Sequence, residues 1–232
     1  MTDRTALASS DDLRAHLIDQ LNSVLRRPGM HGEVEAAVWF VVDHLLFLER
    51  RPEAWREQRH AWDRQGAWSP TGVKGALSPL LPPHHASGVA SVYAEFAHRQ
   101  GWLRPDRVLD SETYAALRDT VGQWSRRDRV WADVTAAFGP PSVLFGGTNP
   151  LYGKTLGYLT EDPAQPMVSF HLWNGAEPGA ESSWPPAHPE PLLLAVRCGD
   201  GAFVDRFTFT PQGQSRRPST PLGRATVHTD GR

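Results

Sequence analysis

Hydrophobic positions recur at helical spacing through the first 138 residues and then switch to the two-residue period of strands. After Ser10-Asp11-Asp12, a capping signal, Leu13, Leu17, Leu21, Val24 and Leu25 share one helical face, and Pro28-Gly29 ends the run. The next segment, about residues 33–50, is apolar nearly all round, with Val34, Val38, Val41, Val42, Leu45, Leu46 and Leu48 among its members. A helix of that kind is expected to be buried on several sides, so this one is the expected hub of the N-terminal half, and His44 a core histidine. Pro52 opens a third helix, about 52–65. Residues 66–85 read as loop, rich in Gly and Pro. Three further helices are predicted over about 86–100, 110–124 and 126–138.

Beyond Gly139-Pro140-Pro141, strands are predicted at Ser142–Phe145, Lys154–Thr160, Met167–Asn174, Leu192–Cys198 and Ala202–Thr210. In the last of these Phe203, Asp205, Phe207 and Phe209 alternate onto one face. Short strands with turn-length links favour an antiparallel meander backed by the last helix. The expected architecture is therefore α+β: about six helices, then a small antiparallel sheet of about five strands. Residues 1–9 read as a disordered start, 10–124 as a helical region, 125–210 as a helix-plus-sheet region and 211–232 as a disordered tail. Whether the two halves share one core is left open by the pattern.

Composition narrows the function classes. The longest apolar run, Ala36–Val42, falls far short of the roughly 20 residues that a membrane span needs. The first residues lack the apolar core of a leader peptide, and a lone cysteine, Cys198, cannot build a disulfide framework; both point to a cytoplasmic protein. Arginine outnumbers lysine 22 to 2, as expected of a GC-rich bacterial genome. Residues 1–130 carry 17 basic and 17 acidic side chains, whereas 131–210 carry three basic and eight acidic ones. An acidic C-terminal body disfavours nucleic acid as a partner.

Candidate chemistry is sparse. Gly147 precedes Gly153-Lys154-Thr155 by five intervening residues rather than the four of a phosphate loop, and Pro150 removes an amide that such a loop would use. The ten histidines show no metal-binding spacing, so no metal or cofactor is expected. Cys198 and His171 form the one thiol–imidazole pair worth naming, and Cys198 reads better as a small core residue. No spacing of carboxylates selects an acid–base pair, and the reading is non-catalytic.

The connection 174–190 is too long for a hairpin and carries Trp184 amid Glu177, Glu181 and Glu190. An aromatic anchor with an acidic surround suits a basic protein partner, and Trp68, in another Gly/Pro-rich loop, is a second candidate anchor. The alternative is a small-molecule binder or enzyme with its pocket between the helical half and the sheet, near Lys154, Tyr152 and His171. The layout, a helical N-terminal half followed by Phe138-Gly139-Pro140-Pro141 and a small antiparallel sheet, resembles bacterial toxin-neutralising immunity proteins. That resemblance implies a small cytoplasmic protein with an acidic binding face, and it assigns no individual residue.

Overall fold

The computed structural model describes residues 8–83, 85–175 and 186–218. Five helices come first: α1 (Ser10–Arg26), α2 (Val34–Leu48), α3 (Glu53–Gln65), α4 (Gly72–Leu77) and α5 (Ala86–Arg99). Helices α6 (Ser111–Trp124) and α7 (Trp131–Phe138) lead into strands β1 (Val143–Phe145), β2 (Lys154–Tyr158), β3 (Val168–Trp173), β4 (Leu192–Arg197) and β5 (Phe207–Phe209). A short helix, α8 (Pro211–Ser215), follows. The strands form one antiparallel sheet in the order β1-β2-β3-β4-β5, the expected meander. Among the described residues no helix is long and apolar enough to cross a membrane.

The caps explain where the helices begin. Ser9 accepts from the Asp12 amide while Asp12 accepts from the Ser9 amide, which starts α1 one residue before the expected cap. Asp110 does the same service for α6 through the Thr113 amide at 2.8 Å.

Every residue of β2 and β4 is buried, because helices cover both faces of the sheet. On one face Phe145, Met167, Ala195 and Phe207 join the core of α1–α5. On the other, Leu156, Tyr158, Val168, Phe170 and Val196 pack with Tyr114, Leu117, Val121 and Val134 from α6 and α7. The sheet is thus the middle layer and belongs to both cores.

Four segments differ from the sequence expectation. The helix expected from about residue 126 begins only at Trp131. Residues 72–77 form α4 rather than loop; its cap is the carboxylate of Glu35, which accepts from the amides of Val73 and Lys74 at 2.8 and 3.1 Å. The expected strand at Ala202–Thr210 is a 3₁₀ turn over Phe203–Arg206 and then β5, which leaves Asp205 exposed instead of facing the core. The expected disordered tail opens with α8, capped by Thr210, with Pro211 at its first position. Gly213 is required there: a Cβ at that position would lie 1.8 Å from the Leu194 carbonyl oxygen, so α8 rests directly on β4.

Candidate functional site

Two regions of the molecule carry unmet physical demands. The first is α2. Its inward side buries Val34, Val38, Val41, Val42, Leu45 and Leu46 against the neighbouring helices. Its outward side, Ala36, Trp39, Phe40, Asp43, His44 and Phe47, is exposed, a second row at spacings of three and four. Trp39 is 49% exposed, Phe40 62% and Phe47 82%, and Met30, just before the helix, 75%. The expectation that α2 is buried on several sides is therefore corrected, and so is the reading of His44 as a core histidine. His44 is exposed, with its ring 4.4 Å from that of Phe40. The physical reason is that α1, α3, α4 and α5 all pack on one flank of α2. No described residue covers the other flank enough to bury its aromatic side chains.

Trp39 also stands at the rim of an open groove of about 780 Å³, walled by Trp55, Trp68 and Tyr93. Glu35 fixes the groove's base, since its carboxylate accepts from the Tyr93 hydroxyl at 2.7 Å as well as capping α4. Burial, and then the charge of Glu35, raises the Tyr93 pKa far above its usual value, so the phenol stays a donor. Trp68, a predicted anchor, is half-buried in the groove wall. Its ring stacks on Trp62 at 5.9 Å, and the Arg59 guanidinium lies 4.9 Å from it.

The second region is a crevice of about 400 Å³ between the N-terminus of α5 and the sheet. Leu81, Pro82, Leu172 and Leu194 give it an apolar lining; Ser87, Thr155, His171 and Tyr152 supply the polar groups. Gly88 lets α5 approach β3, since a Cβ there would sit 3.3 Å from Leu81 and 3.4 Å from His171 Nδ1. Among the described residues no side chain caps α5: its cap residue His85 turns Nδ1 to the Pro82 carbonyl at 2.8 Å. The partial positive charge of the helix start therefore faces the crevice without a side-chain carboxylate or hydroxyl spent on it.

His171 is the chemical centre of this region. It is 3% exposed, and its ring lies parallel to that of Phe207 at 5.5 Å. Thr155 Oγ1 stands 3.2 Å from His171 Nδ1 and donates to Ser87 Oγ at 3.2 Å. With its one proton so used, Thr155 accepts from Nδ1–H, and the lone pair falls on Nε2. Nε2 is buried and has no hydrogen-bond partner among the described residues. Burial first, then the charges of Arg197 and His85, hold the His171 pKa well below the usual range, so the ring is neutral at pH 7.

The remaining predicted residues are placed as follows. Tyr152, 45% exposed, lines the crevice mouth. Lys154 does not enter the crevice, because it neighbours Thr155 on β2 and therefore points to the other sheet face. There its ammonium donates to the carbonyls of Asn149 and Gly147 at 2.7 and 3.1 Å and lies 3.9 Å from the Trp131 ring. Burial lowers its pKa to about 8. Glu190 accepts from the Ala132 amide at 3.0 Å in the first turn of α7. Trp184, Glu177 and Glu181 lie outside the described residues, but the chain on either side of them, Gly175 and Pro186, lines the crevice. Asn174 ties these ends together by donating to the carbonyls of Leu151 and His188, each at 2.8 Å. Cys198 follows β4 and is half-buried, with its thiol pKa pushed up by burial, the opposite of an activated nucleophile. No group of three His, Cys, Asp or Glu side chains converges on a metal-sized position among the described residues.

The aromatic row of α2 escaped sequence reasoning because an apolar side chain looks the same whether covered or bare. Comparison with protein-family models, with curated proteins and with solved structures finds no match for this chain, and the functional reading rests on the geometry above.

Proposed function

We propose that the protein is a non-catalytic recognition module whose principal contact is the outward face of α2. The observation that carries this is the row Trp39, Phe40 and Phe47, large and exposed on a helix whose other side is fully packed. Leaving such side chains in water forgoes roughly 1.5–3 kcal/mol for each that a partner could bury. Contiguous aromatic exposure of this kind marks association surfaces. Charge adds one acidic group on the outward row, Asp43, since Glu35 already caps α4 and Glu33 pairs with Lys74 at 2.7 Å; α2 itself carries no lysine or arginine. The partner on this reading is a protein that offers an apolar pocket rimmed by basic side chains. A basic toxin domain is the kind of partner that the resemblance to immunity proteins implies. This reading retains recognition of a basic protein but moves the contact from the 174–190 connection to α2.

The test pairs Phe40→Ser/Phe47→Ser with a chain lacking residues 176–185, each used beside the intact protein in affinity capture from host lysate. A single basic protein should be held by the intact and shortened chains, and lost both by the Phe pair and in about 0.5 M salt. Capture that survives the Phe pair but fails with the shortened chain would return the contact to the 174–190 connection. Light scattering comes first: a dimer dissolved by the Phe pair would mean that a second copy covers α2, and the basic-partner reading would fall.

A second reading is favoured by His171 Nε2, a buried acceptor without a partner among the described residues, beside a preformed crevice. On that reading the crevice takes a small molecule with an apolar body and a hydrogen-bonding end directed at Ser87 and His171. It would appear as ligand-dependent thermal stabilisation in a metabolite screen. A response unchanged in Gly88→Val would place the ligand elsewhere.

A further inference from the structure

A third cavity, of about 270 Å³, lies where α3, the C-terminal half of α5 and the β4–β5 connection meet. Arg99, Arg197 and Arg206 all line it, and Gln58, Trp62 and Glu95 are among their neighbours there. Arg197 ends β4 and is almost completely buried. Its Nη1 donates to Glu95 Oε2 at 2.5 Å and its Nη2 to Ser169 Oγ at 3.1 Å, while its Nε is buried without a partner among the described residues. Glu95 is also the nearest carboxylate to Arg99, at 3.7 Å. Arg206 turns its Nε to the Gly201 carbonyl at 2.9 Å. Asp200 lines the cavity as well, but its carboxylate pairs with Arg118 at 3.5 Å.

Three guanidiniums thus line one space with two carboxylates, Glu95 and Asp200; Arg99 also donates to Gln58 Oε1 at 3.0 Å, and Arg206 to the Asp200 carbonyl at 3.4 Å. Burial lowers the pKa of both Arg99 and Arg206; the charge of Glu95 acts against that, and the neighbouring charge of Arg197 lowers each again. Guanidinium forks match planar carboxylate and tetrahedral phosphate oxygens, which Lys point charges do not. Trp62, Val92 and Phe203 add apolar lining between these polar groups.

We propose that this cavity binds a small oxyanion, a phosphate or a carboxylate on a compact apolar body, held by Arg99 and Arg206 with Arg197 and Glu95 as the fixed support behind them. The site is separate from the α2 face and from the crevice, and it stands whether or not either functional reading holds.

The test is thermal unfolding of the full chain titrated with inorganic phosphate and, separately, with succinate, against sodium chloride at matched ionic strength. At tenfold excess over Kd, a binding anion should raise the Tm by about 4 °C, and further only as the logarithm of its concentration. Phosphate responding alone would assign a phosphoryl group, and succinate responding alone a carboxylate. Arg99→Gln and Arg206→Gln should each fold and weaken the response about tenfold, since neither strips Glu95 of its Arg197 partner. Arg197→Gln is not used, because it leaves Glu95 buried without that partner and invites misfolding. No shift beyond that of the matched sodium chloride with either anion would overturn the proposal. So would a shift that persists undiminished in both glutamine variants, because the anion would then be binding elsewhere.

Discussion

The outward face of α2 and the crevice beside α5 fail to satisfy their residues in opposite ways. On α2 large side chains lack cover; in the crevice a buried polar atom, His171 Nε2, lacks a partner among the described residues. An uncovered aromatic row asks for area, which a protein surface provides. A lone buried acceptor asks for one hydrogen bond in a shaped space, which a small molecule provides. The two regions therefore point to different classes of occupant, and substitutions should separate them cleanly.

The largest contrast lies within α2 itself. Leu45 is fully buried, and Leu45→Ala should cost about 2–5 kcal/mol, read as a Tm loss of about 5–15 °C. Phe47→Ser, two residues on, should leave the Tm within about 2 °C and cut partner affinity about 30-fold or more. Equal thermal losses at the two positions would show that Phe47 is structurally supported, and the face would lose its claim.

In the crevice, Gly88→Val should destabilise by about 1–3 kcal/mol, because the new side chain meets Leu81 and His171 at once. It should abolish any crevice-ligand response and leave partner capture through α2 intact. Joint loss of both would mean that the regions are coupled.

The protonation of His171 gives a pH signature. Its folded pKa lies below its unfolded value, so the unfolded chain binds more protons in the interval between them, and stability rises with pH there. The contribution is complete above about pH 6.5 and is lost as pH falls below that value. His98, also lowered by burial, acts in the same direction. The Tm should fall between pH 7 and pH 5, and His171→Gln should flatten part of that slope. A slope that His171→Gln leaves unchanged would remove His171 from the account.

The smallest effect concerns Glu190. Its carboxylate serves the first turn of α7, so Glu190→Gln should cost about 0.3–1 kcal/mol in thermal unfolding and nothing in partner affinity. A loss of affinity without a loss of stability would restore Glu190 to the binding surface.

Local pattern was a good guide wherever the stabilising partner was local. The Ser9–Asp12 and Asp110–Thr113 caps and the alternation in β2–β4 are all settled within a few residues, and the α+β meander followed from them. The Thr210-Pro211 start of α8 was also there to be read, as a cap residue followed by proline. Helix α4 was not, because its cap, Glu35, comes from 38 residues upstream of Val73. Half of the candidate crevice was legible: strand parity alone puts His171 opposite Thr155 and turns Lys154 away once the register is known. The register itself is a property of paired strands, not of either strand.

The sequence by itself determined most of the elements, their order and the presence of two rows of large apolar side chains on α2. Only the tertiary structure decided which row is covered. Periodicity states where side chains point around a helix axis, whereas burial depends on which distant elements arrive on each side. Here α1, α3, α4 and α5 all arrive on one.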